Sequence, residues 1–360
     1  MEFVLQPDVY RTGAEVSLLG MLDTMWLKNH TCGEGTLYIV SGFANYNGGV
    51  RFFPYFTKHS HDGGEIKVIL SGSKSQNLSS QQVVKALLEC GAEVYIVNRK
   101  RLLHAKCYGF CAGGLEELIV SSGNFTGPGM SQNAEASLYV DHEITKDMSF
   151  SWDSLVNSIL GQPWDIYPLH ESDIDDASNP AWALLYDEVN GTPVINESQK
   201  VTMVVTLSHS DTARIQAESG SNAGKGTQYF WLSKGSFDFF PALTEKNKRG
   251  IKNTYSCKIK VSYMDLGISR QERVTFEADN NLDFRMGTSA LRYTRIADKD
   301  DLALITRIAE YDYELRIIKK GSRPYSQLRA YAVSFIGNLG KKFGYVPNEK
   351  CYEILGISTR

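Results

Sequence analysis

The spacing of apolar residues divides the chain into an N-terminal part with mixed helices and strands and a C-terminal part dominated by strands. Short apolar runs that end in glycine-containing turns predict buried strands at 36–43 and 66–72. Residues 79–97 predict a serine-capped helix, a stop at Gly91 and another strand. Strands that alternate with helices favour a mixed or mainly parallel sheet packed between helices. The other predicted elements are helices at 15–28 and 148–160 and strands at 102–110, 117–123 and 135–140.

The periodicity stops at Gly161, and the following 21 residues hold three prolines, four aspartates and one glutamate. We interpret 166–195 as an acidic inter-domain linker. After about Glu197, short apolar runs separated by turns predict a small β-barrel or sandwich, with helix only at 302–310 and 326–333. The strands expected in this part are 201–209, 226–233, 255–265, 273–279, 291–297 and 313–320.

Composition and charge indicate the class of molecule that the chain binds. A chain of 360 residues, 42% apolar and 22% charged, is globular and long enough for two domains. Residues 140–199 carry one lysine against 12 acids, whereas residues 200–360 carry 26 basic and 17 acidic groups. A basic C-terminal half fits a nucleic-acid partner.

Targeting signals and cysteine usage indicate the compartment. The N-terminus has no basic region followed by an apolar core, and no run of eighteen apolar residues occurs. The six cysteines form no Cys-x-x-Cys pair, which favours reduced thiols. We therefore expect a cytoplasmic protein that neither crosses nor binds a membrane.

The chemistry is concentrated between Leu102 and Glu135. His104 and Lys106 are two residues apart in an apolar run, so on a strand both side chains share a face. Ser122 and Asn124 end the next run. An imidazole that attacks phosphorus or moves a proton, beside a lysine and an amide that bind the equatorial oxygens, suits a phosphodiester without a metal ion.

His-x-Lys, then Ser-x-Asn, then a glutamate eleven residues after the asparagine resembles the phospholipase D superfamily signature. The usual aspartate five residues after the lysine is replaced by Cys111. The whole chain resembles the BfiI-like metal-independent type IIS restriction endonucleases of that superfamily, which share this replacement. The stretches that carry the closer resemblance are SGFANYNGGVRF (41–52), SSGNFTGPGMSQN (121–133), DTARIQA (211–217), GTQYFWLSK (226–234) and YAVSFIGN (331–338).

The resemblance implies a phospholipase D-like nuclease and dimerisation domain at 1–165, the linker at 166–195, and a B3-like DNA-binding pseudobarrel at 196–360. Two His-Lys-Asn sets make one active site in that superfamily, so a chain with one set is expected to form a homodimer. One His104 would form a phosphohistidine and the other would protonate the leaving oxygen. Glu135 would fix the imidazole tautomer, and Ser122 would contribute a hydroxyl. No cofactor is implied.

The same resemblance predicts which residues of the C-terminal half contact double-stranded DNA. Base edges are read by arginine, amide and acidic side chains, whereas lysines and arginines bind phosphates. Charge-rich turns are more often simply exposed to solvent, so the prediction applies to the segments more than to the individual residues. The predicted residues are Asp211, Arg214, Asn222, Lys225, Trp231, Asn280, Asn281, Asp283 and Arg285 for bases, and Arg249, Lys252, Lys341 and Lys342 for phosphates.

Several alternatives stay open from the sequence. A DNA-binding regulator with an inactive nuclease fold, or a phospholipase D-type phosphodiesterase with another substrate, would share parts of the pattern. A separate methyltransferase acting on the same DNA site is also left open. The acidic linker is either a spacer or a segment that covers the active site and imitates phosphate. The covering-segment hypothesis rests on Asp173, Asp175 and Asp176. Weaker hypotheses of a metal ion rest on Asp62, Glu65 and Lys67 or on His59 and His61.

Overall fold

A computed structural model describes residues 1–6, 17–131, 133–161, 165–191, 200–250, 252–278, 283–337 and 340–357, with the side chains of 248 and 249 excepted. These residues form two compact units, one that reaches to Gly191 and one that starts at Lys200. Each unit has its own sheet and its own core.

The N-terminal unit contains a mixed sheet of eight strands, which confirms the predicted fold class. The strands lie in the order β1-β7-β6-β5-β2-β3-β4-β8. Strands β2, β3 and β4 run parallel, and β5 is antiparallel to β2. The bounds are β1 (Glu2–Gln6), β2 (Thr36–Ser41), β3 (Glu65–Ser71), β4 (Glu93–Val97), β5 (Lys106–Ala112), β6 (Leu115–Ser121), β7 (Glu135–Val140) and β8 (Ile166–Leu169).

Helices cover both faces of this sheet. Trp26 packs edge-on against Phe52, Phe56 and Tyr108 on one face. On the other face, Trp152 lies fully buried among apolar side chains of the central strands. The helices are α1 (Leu18–Leu22), which continues as a π-helix (Asp23–Lys28), α2 (Tyr46–Gly49), α3 (Phe53–His61), α4 (Gln81–Glu89), α5 (Gly127–Ser131), α6 (His142–Asp147) and α7 (Trp152–Leu160).

The C-terminal unit contains a ten-stranded, nearly closed barrel-like sheet, which confirms the predicted pseudobarrel. The order is β10-β14-β13-β12-β16-β15-β9-β18-β17, with β11 paired to β12. Its elements are β9 (Val201–Thr206), α8 (His209–Gln216), β10 (Tyr229–Leu232), β11 (Glu245–Arg249), β12 (Lys252–Tyr263), β13 (Ile268–Glu277), β14 (Phe284–Gly287), β15 (Leu302–Arg307), β16 (Asp312–Ile318), α9 (Tyr325–Arg329), β17 (Ser334–Ile336), β18 (Lys341–Pro347) and α10 (Asn348–Leu355).

Two secondary-structure predictions in this unit are wrong. The helix expected at 302–310 is the strand β15, in which every residue is buried. Such a strand is apolar on both faces, so its sequence has no alternation to distinguish it from a helix. The strand expected at 291–297 is a 3₁₀ turn and a loop, in which Tyr293 and Arg295 have positive φ angles of 65° and 56°.

The acidic segment up to Gly191 is packed on the N-terminal unit. It contributes β8, which pairs with β4, and its later residues run along α4. Tyr186 pairs with Ser80, and Glu188 accepts hydrogen bonds from the Ser80 hydroxyl at 2.6 Å and the Tyr46 N–H at 2.8 Å. Across the described residues, no helix has both the length and the apolar character needed to span a membrane.

A buried ion pair joins the first strand of the C-terminal sheet order, β10, to β18, the strand next to its other end. Lys341 on β18 lies 2.8 Å from the Asp211 carboxylate on α8 and also donates to the Trp231 carbonyl on β10. Asp211 in turn accepts from the Trp231 N–H at 3.0 Å and the Ser208 N–H at 2.7 Å. Asp211 is 0% exposed, and burial lowers the pKa of Lys341, opposed by the Asp211 charge. The carboxylate is satisfied by bonds from three elements, as a buried charge requires.

Asp211→Asn is expected to destabilise the C-terminal unit by about 3–5 kcal/mol, because it leaves the Lys341 ammonium buried without its counter-charge. Adding Lys341→Met should recover part of that loss. Urea unfolding followed by hydrogen exchange of β9 and β15 peptides measures it. Glu353→Gln breaks an exposed pair with Lys350 and should cost less than about 1 kcal/mol. A comparable small loss in Asp211→Asn would contradict the structural role of the pair.

Candidate active site and nucleic-acid interface

His104 and Lys106 meet at the start of β5. The strand begins at Lys106, so His104 lies ahead of it, and the expectation that both share one strand face is wrong. The two side chains are nevertheless in contact, because Lys106 Nζ lies 2.9 Å from His104 Nδ1 and donates to the His104 carbonyl at 2.6 Å. Burial lowers the pKa of Lys106, which is 7% exposed, while the Glu135 charge opposes this shift. The exposed His104 ring and the buried ammonium thus form one polar unit.

Three neighbouring residues hold the His104 segment. The Ser71 hydroxyl, at the end of β3, donates to the Leu103 carbonyl at 2.6 Å. A Cβ at Gly42 would come within 3.0 Å of that carbonyl oxygen, so the missing side chain allows the close approach. The Phe43 ring meets the His104 ring edge to face, with centroids 6.0 Å apart. These contacts fix His104 although it is outside a strand.

Asn124 is tied to the same segment through Phe43. Its Oδ1 accepts from the Phe43 N–H at 3.1 Å. The Ser41 hydroxyl donates to the Phe43 carbonyl at 2.7 Å and accepts from the Phe125 N–H at 2.9 Å. Because this bond uses the amide oxygen, the NH₂ group of Asn124 is the part left to donate to an anion.

Ser122 and Glu135 bind each other beside these residues. The Ser122 hydroxyl donates to Glu135 Oε2 and accepts from the Ala136 N–H at 3.0 Å. Glu135 Oε1 accepts from Asn133 at 3.2 Å. In this single chain the described bonds of Glu135 go to these groups, and its contact with an imidazole stays a prediction.

Cys111 lies at the far end of β5 from Lys106. It packs in the apolar layer that contains Tyr38 and Trp152, and burial raises the pKa of its thiol. The position at which the superfamily signature has an aspartate is therefore partly buried against the core of this unit.

The residues of the metal-binding alternatives lie at the opposite end of the sheet. Glu65 and Lys67 begin β3, whereas Ser71 ends it beside the His104 segment. Asp62 is ion-paired with Lys58, and the buried His59 accepts from the Gly33 N–H at 3.1 Å. Over the ranges that the structure describes, no group of three or more His, Cys, Asp or Glu side chains is placed to hold a metal ion.

The aspartates of the acidic segment do not cover Lys106 in this chain. The β8 register places Leu169 opposite Val94 near the start of β4, away from the strand ends that carry His104. Asp173 follows and accepts from the His170 N–H at 2.8 Å, while Asp176 binds Ser178. Within one chain these aspartates lie away from Lys106, and the hypothesis that they cover a site shared with a second copy stays a prediction.

The C-terminal unit presents an arginine–aromatic cluster, formed by Arg214, Tyr229, Trp231 and Arg285. The rings of Tyr229 and Trp231 meet edge to face at 5.1 Å. The Arg285 guanidinium lies 5.3 Å from the Tyr229 ring centre and 6.0 Å from that of Trp231. The Arg214 guanidinium lies 5.8 Å from the Tyr229 ring centre. The structure thus brings together three predicted DNA contacts around a fourth residue, Tyr229.

The remaining DNA-contact predictions have different outcomes. Asp211 and Lys341 are buried in their ion pair, so their assignments to bases and phosphates are wrong. Lys252 is paired with Glu277 at 2.6 Å, and Lys342 lies 4.4 Å from the Phe335 ring centre. Asn222 and Lys225 are exposed on the loop that precedes β10. Asn280, Asn281 and the Arg249 side chain lie outside the described residues, and Asp283, which precedes β14, stays a prediction.

Comparison with protein families finds a similar domain for each unit. Residues 195–358 match the model described as the metal-independent restriction enzyme BfiI DNA binding domain. Residues 51–153, which include His104, Lys106 and Asn124, match the model described as the cardiolipin synthase, PLD-like domain. Each model matches less than half of the chain: much of the N-terminal unit is similar to a phospholipase D-like domain, and the C-terminal unit is similar to a BfiI-type DNA-binding domain. No curated protein matches the chain in sequence.

Solved structures with similarity to the phospholipase D-like unit include three bacterial proteins. Nuc from Salmonella typhimurium, a phospholipase D family member, is 11% identical, with 47% of this chain and 97% of Nuc covered, at a TM-score of 0.33. NucT from Helicobacter pylori is 12% identical, covering 44% and 94%, at 0.30. The N-terminal domain of Helicobacter pylori LlaJI.R1 is 15% identical, covering 41% and 97%, at 0.25. With scores this low, the structural similarity carries no argument about function.

Phe43 and Tyr229 are two residues of these sites that the sequence did not single out individually. Both are aromatic residues in apolar runs, where core packing is the usual explanation. A weak signal existed for Tyr229, because it stands two residues before Trp231 and therefore on the same strand face. Phe43 lies in the stretch 41–52 that carries the resemblance, but nothing local marked it individually, since its role depends on Asn124, 81 positions away.

Asn124→Asp is expected to slow phosphodiester cleavage about 100- to 1000-fold, the usual cost of losing one donor to a developing oxyanion. One carboxylate oxygen can still accept from Phe43, but the other places negative charge where the NH₂ group stood. Single-turnover cleavage measures the loss. Asn157→Asp makes the same charge change at an exposed position on α7 and should cut normally. Equal rates for both variants would exclude a donor role for Asn124.

Proposed function

We propose that the chain is a type IIS-like restriction endonuclease that cuts double-stranded DNA near an asymmetric site, without a metal ion, through a phosphohistidine. The observation that carries the proposal is the His104–Lys106 contact, beside Asn124, in a chain that also has a BfiI-type DNA-binding domain. The N-terminal unit would cut, and the C-terminal unit would select the sequence.

The reaction requires two imidazoles that differ at Nε2, one with a free lone pair to attack and one with a proton to donate. The first His104 attacks phosphorus, so a P–N bond forms while the P–O3′ bond breaks, and the second His104 gives its proton to O3′. Water then attacks the phosphohistidine, the P–N bond breaks, and the second imidazole takes the proton from water. Lys106 and Asn124 donate to the equatorial oxygens. The products are a 5′-phosphate and a 3′-hydroxyl.

In the proposed mechanism, the contact between Lys106 and His104 in one chain suits the imidazole that donates a proton. An ammonium that donates to His104 Nδ1 leaves the proton of the neutral imidazole on Nε2. This tautomer can protonate a leaving group if Lys106 passes one of its protons to Nδ1 in the same step, so that the ring stays neutral and the lysine becomes the amine. The attacking imidazole needs a free Nε2, so in that copy Nδ1 must leave Lys106 and carry the proton. Glu135 is the carboxylate proposed to accept it.

A second copy is needed because each chain has one His-Lys-Asn set, and an apolar surface beside the site supports such a copy. Phe3, Leu138 and Val120 are opposite one another across β1, β7 and β6, so their side chains point to one face. Phe3 is 67% and Val120 45% exposed, and Leu5 in the next row is 60% exposed. Exposed apolar residues on an edge strand favour a protein partner.

Purified protein is expected to cut a mixed-sequence plasmid into discrete fragments in EDTA. His104→Ala should reduce the rate on the order of 10³-fold or more, since it removes both the nucleophile and the acid. His61→Ala, at an exposed histidine at the end of α3, is the matched control and should cut normally. Discrete fragments only with Mg²⁺ would overturn the metal-free mechanism, and no cutting under either condition would favour a DNA-binding regulator.

Val120→Asp combined with Phe3→Asp is expected to convert the dimer into monomers and abolish cutting while DNA binding persists, because paired charges on the apolar surface oppose its burial. Sedimentation velocity gives the mass, and a binding assay with short duplexes gives the affinity. Leu115→Asp places the same charge at an exposed apolar residue at the other end of β6 and should leave the dimer intact. Dimers of normal activity in the double variant would place the interface elsewhere.

A further inference from the structure

The arginine–aromatic cluster is arranged so that two guanidinium groups depend on one uncharged side chain. Tyr229 and Trp231 are two residues apart on β10, so their side chains lie on the same face of the strand. Arg285 stands opposite Trp231 in the β10–β14 register, and Gly287 stands opposite Tyr229. Since the directly opposite residue has no side chain to cover the Tyr229 ring, Arg285 reaches it diagonally, at 5.3 Å from the ring centre.

Arg214 reaches the same ring from α8, and its own position is fixed. Its Nε donates to the Lys225 carbonyl at 2.7 Å. Gly226 adjoins it with a φ of +91°, and a Cβ there would lie 3.1 Å from the Arg214 guanidinium. The loop carbonyl and the Tyr229 ring therefore restrict a side chain that would otherwise have many rotamers.

Both guanidinium groups have charges that remain available to contact DNA. Neither forms an ion pair with a described carboxylate, whereas Lys252, Lys258, Lys260 and Arg273 of the neighbouring strands are paired with acids. Strand β10 is held in place by the Asp211–Lys341 pair, which binds the backbone N–H and the carbonyl of Trp231. Two restrained, unpaired guanidinium groups on a fixed strand suit bidentate contacts to base edges.

We propose that Tyr229 determines DNA specificity by holding Arg214 and Arg285 in the planes from which they bind guanine edges in the major groove. The inference rests on the proposed function, since it assumes that the C-terminal unit reads sequence. Guanine is the base whose two acceptors match a guanidinium fork. Tyr229 is a positioning residue, and the base contacts belong to the two arginines.

The test selects duplexes from a library with a randomised segment, using the full-length chain with His104→Ala so that DNA is not cut. Tyr229→Phe keeps the ring and should select the same sequence as the parent. Tyr229→Leu should lose its preference at one or two guanine positions, with about a 10- to 100-fold fall in the ratio of selected to random DNA affinity. Arg285→Lys keeps the charge but not the planar fork, and should lose preference at one of the same positions.

The salt dependence separates this role from a structural one. Tyr229→Leu removes no charge, so the slope of log affinity against log salt should be unchanged for random DNA. A residue that merely supported the fold would lower the melting temperature and weaken selected and random DNA alike. That outcome, or an unchanged selected sequence in Tyr229→Leu, would overturn the inference. If the parent itself selects no sequence, the proposed recognition function fails instead.

Discussion

The Asp211–Lys341 ion pair is the contact on which the C-terminal unit depends. A buried pair contributes little net stability unless its remaining hydrogen bonds are made. Here they are made by Ser208, ahead of α8, and by both backbone groups of Trp231, on β10. The pair therefore connects β10, at one end of the sheet order, with β18, the strand next to its other end. Its main effect is positional, because it sets the register of the strand whose outer face carries Tyr229 and Trp231.

The N-terminal unit uses hydrogen bonds in the same way. His104 and Asn124 lie outside strands, where the backbone has no ladder to hold it. Ser41 and Ser71, each the last residue of a strand, donate to carbonyl groups of the two adjoining segments. Phe43 connects the segments through its N–H and its ring. Rigid strands thus position side chains on loops, which is the arrangement that a site needs to hold its geometry before substrate binds.

The sequence predicted well whatever depends on local pattern. The central strands, the spacing of His104, Lys106, Ser122 and Asn124, and both fold classes follow from periodicity or from the resemblance. Contacts between residues far apart in the sequence were not predicted. Asp211 sits in a polar run and resembled a solvent-facing side chain, yet its partner is 130 positions away. Ser208 and Asp211 form a capping box, and this Ser-x-x-Asp spacing was the local signal that Asp211 faces its own backbone.

The contact between Lys106 and His104 also bears on how two identical chains divide one reaction. In the proposed symmetric dimer, both imidazoles would be in the same state before DNA binds, with Nδ1 occupied by an ammonium as in the single chain. A phosphodiester is not symmetric, because O3′ and O5′ lie on opposite sides of phosphorus. The imidazole in line with O3′ can keep its Nε2 proton, while the opposite imidazole can attack only after Nδ1 takes over the proton. In the proposed mechanism the polarity of the bound strand therefore assigns the roles. Since one shared site accepts one strand polarity at a time, cutting the second strand requires the duplex to rebind in the reverse sense, with the two histidines exchanging roles.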